Sequence, residues 1–481
     1  MHIKREYPSM NRMARPNREG DGMLDLLKTA ISGADGYAEI RYHKREQTSI
    51  EGNNGRLARV ERRTLAGAGV RCLVDGCWGF VSTTDVSPSG LRKAISEAAE
   101  AARIGAELRR EKVVLAPAKL AQGQFVYYDL ADEPSIAEKI QVVMAAEKRV
   151  RERSSLIVAS SVRYLQYEDE KYIVTSDGAA AHILDNKPSF HVTATAGRGD
   201  QLEMAIKSWG VTGSWKDLLD KVSLDKAADD AADLAARKLD AGYVRGGQYT
   251  VILDPMLVGV LSHEAIGHTV EADFVQAGSV VQGKIGQKVA SDMITMVDDG
   301  TMAGAAGMVL ADDEAVLGQR TVIIDRGILR DYLHSRESAE VLRAEPRGNA
   351  RAFTYSDEPL IRMTNTCILP GKDDLDQMIA GIDDGLLLRE MGAGGGQADS
   401  TAEFMFGVAE GYVIKHGKLG ELVKGITISG QAFEVLQSVD AVSSDFVCSL
   451  GAGHCGKWQP AKVDAGGPYL RCRVTVGGRH E

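Results

Sequence analysis

The segment Ser262–Asp273 reads SHEAIGHTVEAD and places two histidines and a glutamate within six positions, in a chain with ten histidines in all. A chance H-E-x-x-x-H at this composition is expected only about 0.01 times per chain. Histidines next to a carboxylate are the residue set that metal-dependent hydrolases use. We therefore predict a metal site here, against the alternative of a helix whose polar residues are merely solvated or capped.

The spacing of the two histidines sets a condition on the backbone. Zinc-hydrolase motifs place two histidines four residues apart, about 40° around a helix. His263 and His268 are five apart, which separates them by about 140° on a regular α-helix. One π-helical turn of about 4.4 residues reduces this angle to about 50°. Gly267 makes such a distortion easier, so we predict a locally widened helix.

A catalytic zinc usually has three protein ligands and one open position, so a third ligand is needed. The candidates are Cys455, Glu271, His454 and Cys448. Cys455 lies between glycines in GHCGK, although a lone thiol is as often a buried apolar residue. Two imidazoles and a thiolate would leave Zn²⁺ with a net charge of about +1. In an extended backbone His454 would point away from Cys455.

Two glutamates flank the predicted ligands. Glu264 follows His263 directly and is the natural general base for a water molecule at the metal. Glu271 is three residues from His268, an offset that favours the same helix face and a contact with that ligand. The alternative for Glu271 is an ordinary acid on the helix surface.

The bulk composition is that of a globular, acidic protein. The 481 residues carry a net charge of −10 and are 44% hydrophobic and 26% charged, which suits two or three domains. An acidic chain argues against nucleic-acid binding, which needs a basic face. The six cysteines are few and irregularly spaced, and no apolar run reaches the ~18 residues of a membrane span. We therefore expect a cytoplasmic protein with free thiols and no membrane contact.

The pattern along the chain predicts an α+β fold in two domains. Residues 1–22 are expected to be a disordered extension, 23–242 an N-terminal α/β domain and 243–481 a β-rich C-terminal domain that carries the metal-binding helix. The N-terminal prediction has strands at 37–46, 66–83 (with a turn at Asp75-Gly76), 156–163, 171–176 and 189–198, and helices at 89–112, 134–153 and 214–239, the last capped by Ser214.

The C-terminal half shows short apolar runs separated by glycine and aspartate turns. The predicted strands are 249–253, 307–311, 321–325, 411–415, 422–428 and 469–476, and a helix is predicted at 429–438. The glycine-rich stretch Gly392–Gly396 is interpreted as a loop, since no helix clearly follows it to form a phosphate cradle. Asp298-Asp299-Gly300 is interpreted as a turn.

At these residues the chain resembles the TldD/PmbA family of metallopeptidases, and its TldD branch in particular. The N-terminal half matches more loosely through GVRCLVDGCWGFVST. The motifs that carry the resemblance cover about 200 residues of the C-terminal half: HEAIGHTVEADFV (263–275), VDDGTM (297–302), RMTNTCILPGK (362–372), GGGQADSTAEFMF (394–406), EGYVIKHGK (410–418) and GHCGK (453–457).

The resemblance implies one zinc ion held by His263, His268 and Cys455, with Glu264 as the catalytic base. It also implies a two-domain subunit that works as a dimer, either with a TldE/PmbA-like sister subunit that lacks HExxxH or with a second copy. Substrates would be small unfolded peptides, held in extended form in a channel that the dimer encloses. After GHCGK this sequence departs from the family pattern with WQPAKVDAGGPYL, which puts the substrate preference in doubt.

Further substrate contacts are predicted in two of these motifs. The segment 362–366, which begins with Arg362, could line the channel, with Asn365 and the hydroxyls of Thr364 and Thr366 holding peptide backbone; a structural turn before Pro370 is an equally weighted alternative. Gly395 and Gly396 are also predicted to contact substrate.

The leading hypothesis is thus a cytoplasmic zinc-dependent peptidase in which water activated by the metal and Glu264 attacks the scissile carbonyl. One alternative keeps the site and changes the substrate: a tailoring hydrolase that cleaves an amide during maturation of a peptide or natural product. The other alternative is a non-catalytic assembly subunit of a TldD/TldE-type complex, against which the intact HExxxH and Cys455 argue.

Overall fold

A computed structural model of the chain describes residues 20–128, 133–398, 401–448 and 450–479. The N-terminal elements are α1 (Gly20–Ile31), β1 (Tyr37–Asn53), β2 (Arg56–Val74), β3 (Cys77–Thr83), α2 (Pro88–Leu108), β4 (Gln122–Val126), α3 (Ile136–Glu152), β5 (Ile157–Thr175), β6 (Ala180–Arg198), β7 (Gln201–Gly210), α4 (Trp215–Lys221) and α5 (Leu224–Lys238).

These strands form one seven-stranded sheet in the order β3-β2-β1-β5-β6-β4, with β7 also paired to β6. The long strands β1, β2, β5 and β6 pair with antiparallel neighbours over most of their length. The alanine-rich faces of α2 and α5 cover two separate cores on this sheet. Small side chains let a helix lie close to a sheet, so these alanines set the thickness of the layer.

The second half supplies the elements that surround the predicted site. They are β8 (Gly242–Tyr243), β9 (Gly247–Leu253), α6 (Pro255–Val260), α7 (Ala272–Gln276), β10 (Met296–Asp299), β11 (Arg320–Asp325), β12 (Ile328–Leu329), α8 (Arg336–Leu342), β13 (Ala350–Arg351), β14 (Leu360–Ile361), β15 (Asn365–Ile368), α9 (Leu375–Ala380), β16 (Asp384–Ala398), β17 (Glu403–Lys415), β18 (Lys418–Lys424), β19 (Ile426–Gln431), α10 (Ala432–Gln437), β20 (Ala441–Val442), β21 (Val447–Cys448), β22 (His454–Lys457), β23 (Gln459–Lys462), β24 (Asp464–Gly467) and β25 (Leu470–Gly477).

The larger C-terminal sheet closes on itself. Its strand order is β16-β9-β25-β19-β17-β18-β8, and β16 pairs with β17 as well, so five of these strands form a ring. A second sheet has the order β12-β11-β10-β15-β24-β21, and β22 and β23 form a separate hairpin. The largest core of the described residues lies between these parts and includes Leu253, Phe404 and Phe406.

The structure confirms the predicted α+β class and most of the predicted elements. The strand at 37–46, the turn at Asp75-Gly76 and the Ser214 cap are present, and both turn residues have the positive φ that such a tight connection requires. The strands predicted at 156–163 and 171–176 are two parts of the single strand β5.

Several predictions of local structure are wrong. Asp298 and Asp299, interpreted as part of a turn, lie in strand β10, and the strand predicted at 422–428 is divided between β18 and β19 at Gly425. The helix predicted over 214–239 is broken at 222–223, because Ser223 accepts a hydrogen bond from the Lys226 amide and caps a second helix. Residues 307–311 form no strand, apart from a single β-bridge between Ala311 and Leu317. Gly392–Gly396 lies in β16, at the irregularity where the register against β17 shifts, and Gly396 pairs with Phe406. Residues 20–22 open helix α1, and the rest of the predicted extension lies outside the described residues.

Candidate metal centre

The two histidines lie on a helix that changes its pitch. Asp254 accepts a hydrogen bond from the Leu257 amide and starts α6, with Pro255 in the first turn. The helix then widens into a π-helical segment, Leu261–Gly267, and tightens into a 3₁₀ turn, His268–Val270. The predicted widening is confirmed, and it brings the two imidazole rings to a centroid distance of 5.3 Å.

Gly267 matters for the π-helical segment because it leaves room for close packing against a neighbouring side chain. Its φ is −54°, an ordinary helical value, so the position does not need the conformational freedom of glycine. A Cβ at Gly267 would instead overlap the sulfur of Met363, a fully buried residue. The glycine therefore lets the π-helical segment lie directly against Met363, a reason that the sequence did not reveal.

The third predicted ligand comes from the hairpin of β22 and β23, which hydrogen bonds from two arginines hold in place. Arg362 is 0% exposed, and its guanidinium donates to the backbone carbonyls of Cys455 and Gln459, both at 2.7 Å. Arg351 donates to the carbonyl of Lys462 at 2.7 Å. These hydrogen bonds fix the strand that presents Cys455 to the helix.

His263, His268 and Cys455 converge on one point. One nitrogen or sulfur atom from each lies within 4.8 Å of the other two, and Cys455 Sγ is 3.3 Å from His268 Nε2. His263 is 2% exposed, and neither of its ring nitrogens has a hydrogen-bond partner among the described residues. A buried imidazole without partners is costly, and a cation bound between the three side chains would satisfy it.

The charges of the three side chains favour a thiolate. Burial raises the pKa of the Cys455 thiol, but the two neighbouring imidazoles outweigh it and lower this pKa to about 5. Burial lowers the pKa of His268, but the Cys455 sulfur and the Glu271 carboxylate outweigh it and raise this pKa to about 10. The thiolate is the form in which cysteine binds metals, whereas His268 must release a proton before its Nε2 can bind one.

Glu271 orients one of the ligands. Its buried carboxylate accepts a hydrogen bond from His268 Nδ1 at 3.0 Å, which turns Nε2 of the ring towards Cys455. The same carboxylate oxygen accepts from Lys457 Nζ at 3.2 Å, and Lys457 also donates to Asp273 at 2.8 Å. The predicted contact between Glu271 and His268 is present.

Glu264 lies on the open side of the cluster. Its carboxylate is 3.7 Å from His268 Nε2, and its side chain is 35% exposed, whereas that of His268 is 21% exposed and both His263 and Cys455 are buried. A carboxylate in this position can reach both solvent and a molecule at the three ligand atoms. This geometry is the one a general base requires.

The four residues predicted to contact substrate have hydrogen-bond or strand partners within the C-terminal half. Asn365 is buried, donates to the Asp299 carbonyl and accepts from the Gly307 amide. Thr366 is also buried and donates to Asp298. Gly396 lies in β16, paired with Phe406, and Gly395 is in the same strand. Substrate binding by these four residues stays a prediction.

The two remaining ligand candidates have other neighbours. The His454 ring packs edge-on against Tyr167 and Phe353, on the opposite side of the strand from Cys455, as the extended backbone predicts. Cys448 Sγ is 3.2 Å from Cys367 Sγ. Neither residue joins His263 and His268.

The sequence suggested Arg362 only as possible channel lining and gave Lys457 no role. In the structure, Arg362 holds the strand of Cys455 and Lys457 holds the Glu271 carboxylate. Both residues lie inside motifs of the resemblance, RMTNTCILPGK and GHCGK, which is the one signal in the sequence that could have drawn attention to them.

Comparison with known proteins identifies the chain. Models of three domains of the PmbA/TldA metallopeptidase family match it: domain 1 at residues 38–102, the central domain at 129–239 and the C-terminal domain at 246–478. A metalloprotease of Methanothermobacter thermautotrophicus is 34% identical over 448 residues, which are 92% of this chain and 95% of that protein. A metalloprotease of Methanocaldococcus jannaschii is 33% identical over 458 residues, 94% of this chain and 99% of that protein. The chain belongs to the TldD/PmbA metallopeptidase family, and the predicted family and enzyme class are confirmed.

Solved structures agree on the fold. TldE from Thermococcus kodakarensis superposes with a TM-score of 0.77 at 18% identity and covers 95% of this chain and 100% of its own. A Thermotoga maritima protein described as a modulator of a DNA gyrase has a TM-score of 0.77 at 19% identity, with the same coverage. Among the described residues, no helix is long and apolar enough to cross a bilayer.

Proposed function

We propose that the protein is a zinc-dependent peptidase that hydrolyses small unfolded or flexible peptides. The observation that carries this proposal is the convergence of His263, His268 and Cys455 beside the carboxylate of Glu264. Two nitrogens and one thiolate sulfur form a donor set that zinc accepts, and three protein ligands leave one position open. A relative in Saccharolobus solfataricus, 26% identical, is named a zinc metalloprotease TldD homolog.

The arrangement of the three proposed ligand atoms in this chain supports zinc as the bound metal. The three ligand atoms face one another, the ring nitrogens of His263 lack other partners, and Glu271 fixes the tautomer of His268. When bound there, zinc supplies Lewis acidity that polarises a carbonyl and acidifies water.

In the proposed hydrolysis, each of these residues has a different role. Glu264 accepts a proton from the attacking water and delivers it to the departing amine, which needs a carboxylate that reaches solvent. Glu271 and Lys457 keep the His268 ring from rotating. The buried hairpin holds Cys455 at a fixed distance, so that the site does not reorganise during the reaction.

The proposal extends to the partner and the compartment. A sister subunit of the TldE kind, or a second copy of this chain, would complete a channel over the open side of the site, and the similarity to TldE supports such a partner. A reducing, cytoplasmic location would keep the Cys455 thiolate available to the metal.

The test joins metal analysis to hydrolysis. Purified wild-type protein should contain one zinc per chain and cleave flexible peptides, and a chelator should abolish the cleavage. Glu264→Ala should keep the zinc and lose at least about 100-fold in kcat. Glu340→Ala, a change at an exposed glutamate far along the chain, serves as the control and should leave both readouts unchanged.

Three outcomes distinguish the alternatives. Protein without zinc and without chelator-sensitive activity would reject both enzyme hypotheses and leave an assembly subunit. Zinc with cleavage of one peptide-derived intermediate, but not of general peptides, would favour the tailoring hydrolase. Full activity of Glu264→Ala would remove Glu264 from the mechanism.

A further inference from the structure

The tip of the hairpin that presents Cys455 carries an unusual residue. Lys457 pairs with Gln459 across the two strands, and Trp458 alone connects them with φ +57°. This left-handed conformation suits glycine or asparagine, and a bulky side chain adopts it at a cost in strain. A strained backbone position beside a catalytic cluster is a reason to look for a function.

Burial in an apolar core does not explain why residue 458 is a tryptophan. Trp458 is 83% exposed, whereas Trp209 and Trp215 are buried and Trp78 is half-buried with its Nε1 bonded to Glu337. A large apolar ring that stays in solvent contributes little to folding. Folding alone therefore favours a smaller residue at this tip.

The exposed ring continues a row of rings that starts at the metal ligand. The His268 and Phe274 rings are 6.3 Å apart in an edge-on arrangement, and the Phe274 and Trp458 rings are 6.4 Å apart at 39°. Lys457 Nζ lies 4.4 Å from the Phe274 ring centre. The ion pairs of Lys457 with Glu271 and Asp273 hold the Lys457 ammonium group beside the Phe274 ring.

We infer that Phe274 and Trp458 form a subsite for a bulky apolar side chain, aromatic by preference, of the residue next to the scissile amide. The inference rests on the proposed peptidase function. The two tilted rings leave faces and edges open, which another ring can meet edge-on or offset. The ammonium group of Lys457 is already paired with the carboxylates of Glu271 and Asp273, so this lysine gives no advantage to an acidic side chain in the subsite.

The first experiment separates stability from selectivity. Wild type, Trp458→Gly and Trp458→Phe are compared on peptides that differ only in Phe or Ala on either side of the cleaved bond. Wild type should prefer Phe about tenfold in kcat/KM on one side, because a filled apolar subsite discriminates by this order. Trp458→Gly should lose most of this preference at an unchanged or higher Tm, and Trp458→Phe should keep part of it.

A second experiment measures binding without hydrolysis. In zinc-loaded Glu264→Ala protein, the Phe peptide should shift the tryptophan emission to shorter wavelength and protect it from iodide, because Trp458 is the most exposed tryptophan of the described chain. The Ala peptide should change the emission much less. A Glu264→Ala/Trp458→Phe control should show no response to either peptide.

The possible outcomes distinguish a failure of the peptidase proposal from a failure of the proposed subsite. If wild type cleaves no peptide while the emission still responds to the Phe peptide, the peptidase proposal fails and the subsite stands. If wild type cleaves both peptides equally, or if Trp458→Gly keeps the preference, the subsite is rejected. Iodide protection of Trp458 before any peptide is added would also reject it, because a partner subunit would then cover the ring.

Discussion

The helix that carries His263 and His268 and the hairpin that carries Cys455 reach the same point by different means. The helix segment lies in the largest apolar core, where Leu261, Ala265 and Ile266 are buried. The hairpin has a small apolar contact of its own, and buried arginine hydrogen bonds hold it instead. The two proposed histidine ligands are thus positioned by close packing, and the proposed cysteine ligand by polar contacts to the backbone.

The largest effect should follow from a change in packing on the helix side. Gly267→Ala forces a methyl group into Met363, and overpacking of this kind costs about 1–3 kcal/mol. The π-helical segment must then move, so we expect loss of bound zinc together with a clear fall in Tm. Zinc content and thermal unfolding of the same samples measure both.

Met363→Ala provides the matched control for this clash. The double variant Gly267→Ala/Met363→Ala should recover part of the zinc, because the shortened side chain makes room for the methyl group. A double variant no better than Gly267→Ala would show that Met363 is not the obstacle.

A smaller effect is expected on the hairpin side. Arg362→Met removes two donors to backbone carbonyls while keeping an apolar stem of similar length. The strand that presents Cys455 should loosen, and zinc affinity should fall about 10–100-fold, as for other groups that orient metal ligands. Competition with a zinc indicator measures the affinity.

Arg326→Met, at an exposed arginine, controls for the loss of a positive charge. Equal zinc affinity in Arg362→Met and wild type would mean that packing alone positions the hairpin, and the contrast between the two regions would disappear.

The smallest effect is expected from protonation of Cys455, the third proposed ligand. Because the pKa of Cys455 is lowered to about 5, its thiolate is present above pH 5 and is lost as the pH falls through that value. In zinc-free folded protein, alkylation of Cys455 should already be near its maximum at pH 7. Peptide mass spectrometry at pH 4–9 gives the profile for each cysteine.

Two other cysteines serve as internal controls. Burial raises the pKa of Cys72 to about 11 and that of Cys472 to about 12, so both should stay unmodified at pH 7. A Cys455 profile that rises only above pH 8 would contradict the lowered pKa.

The sequence predicted the helix side of the site better than the hairpin side. The five-residue spacing of the histidines follows from helix geometry, so the π-helical segment could be predicted from two positions. Cys455 lies 187 residues beyond His268, and local patterns say nothing about contacts at that distance. The residues alone left Cys455 as one of four candidates, the family resemblance selected it, and only the structure gave the roles of Arg362 and Met363.

The wrong predictions of local structure have a similar cause, because contacts or helix caps outside the local pattern decide the conformation. The glycines of Gly392–Gly396 have weak strand propensity, and the pairing of Met391 and Gly396 with β17 on either side of a register shift keeps this stretch in the strand. Ser223 interrupts an amphipathic helix because a good cap competes with continuation. In both cases a contact or a cap outweighs the local pattern.

The closed ring of C-terminal strands has a consequence for the order of folding. β25 pairs with β9 in an antiparallel arrangement, although about two hundred residues separate them in the chain, and α6 follows β9 directly. The N-terminal sheet needs only residues up to Gly210. During synthesis this sheet can therefore form early, whereas the core around the histidines must wait for residues 470–477 to leave the ribosome. A growing chain would then acquire its zinc late, when nearly all of it has been made.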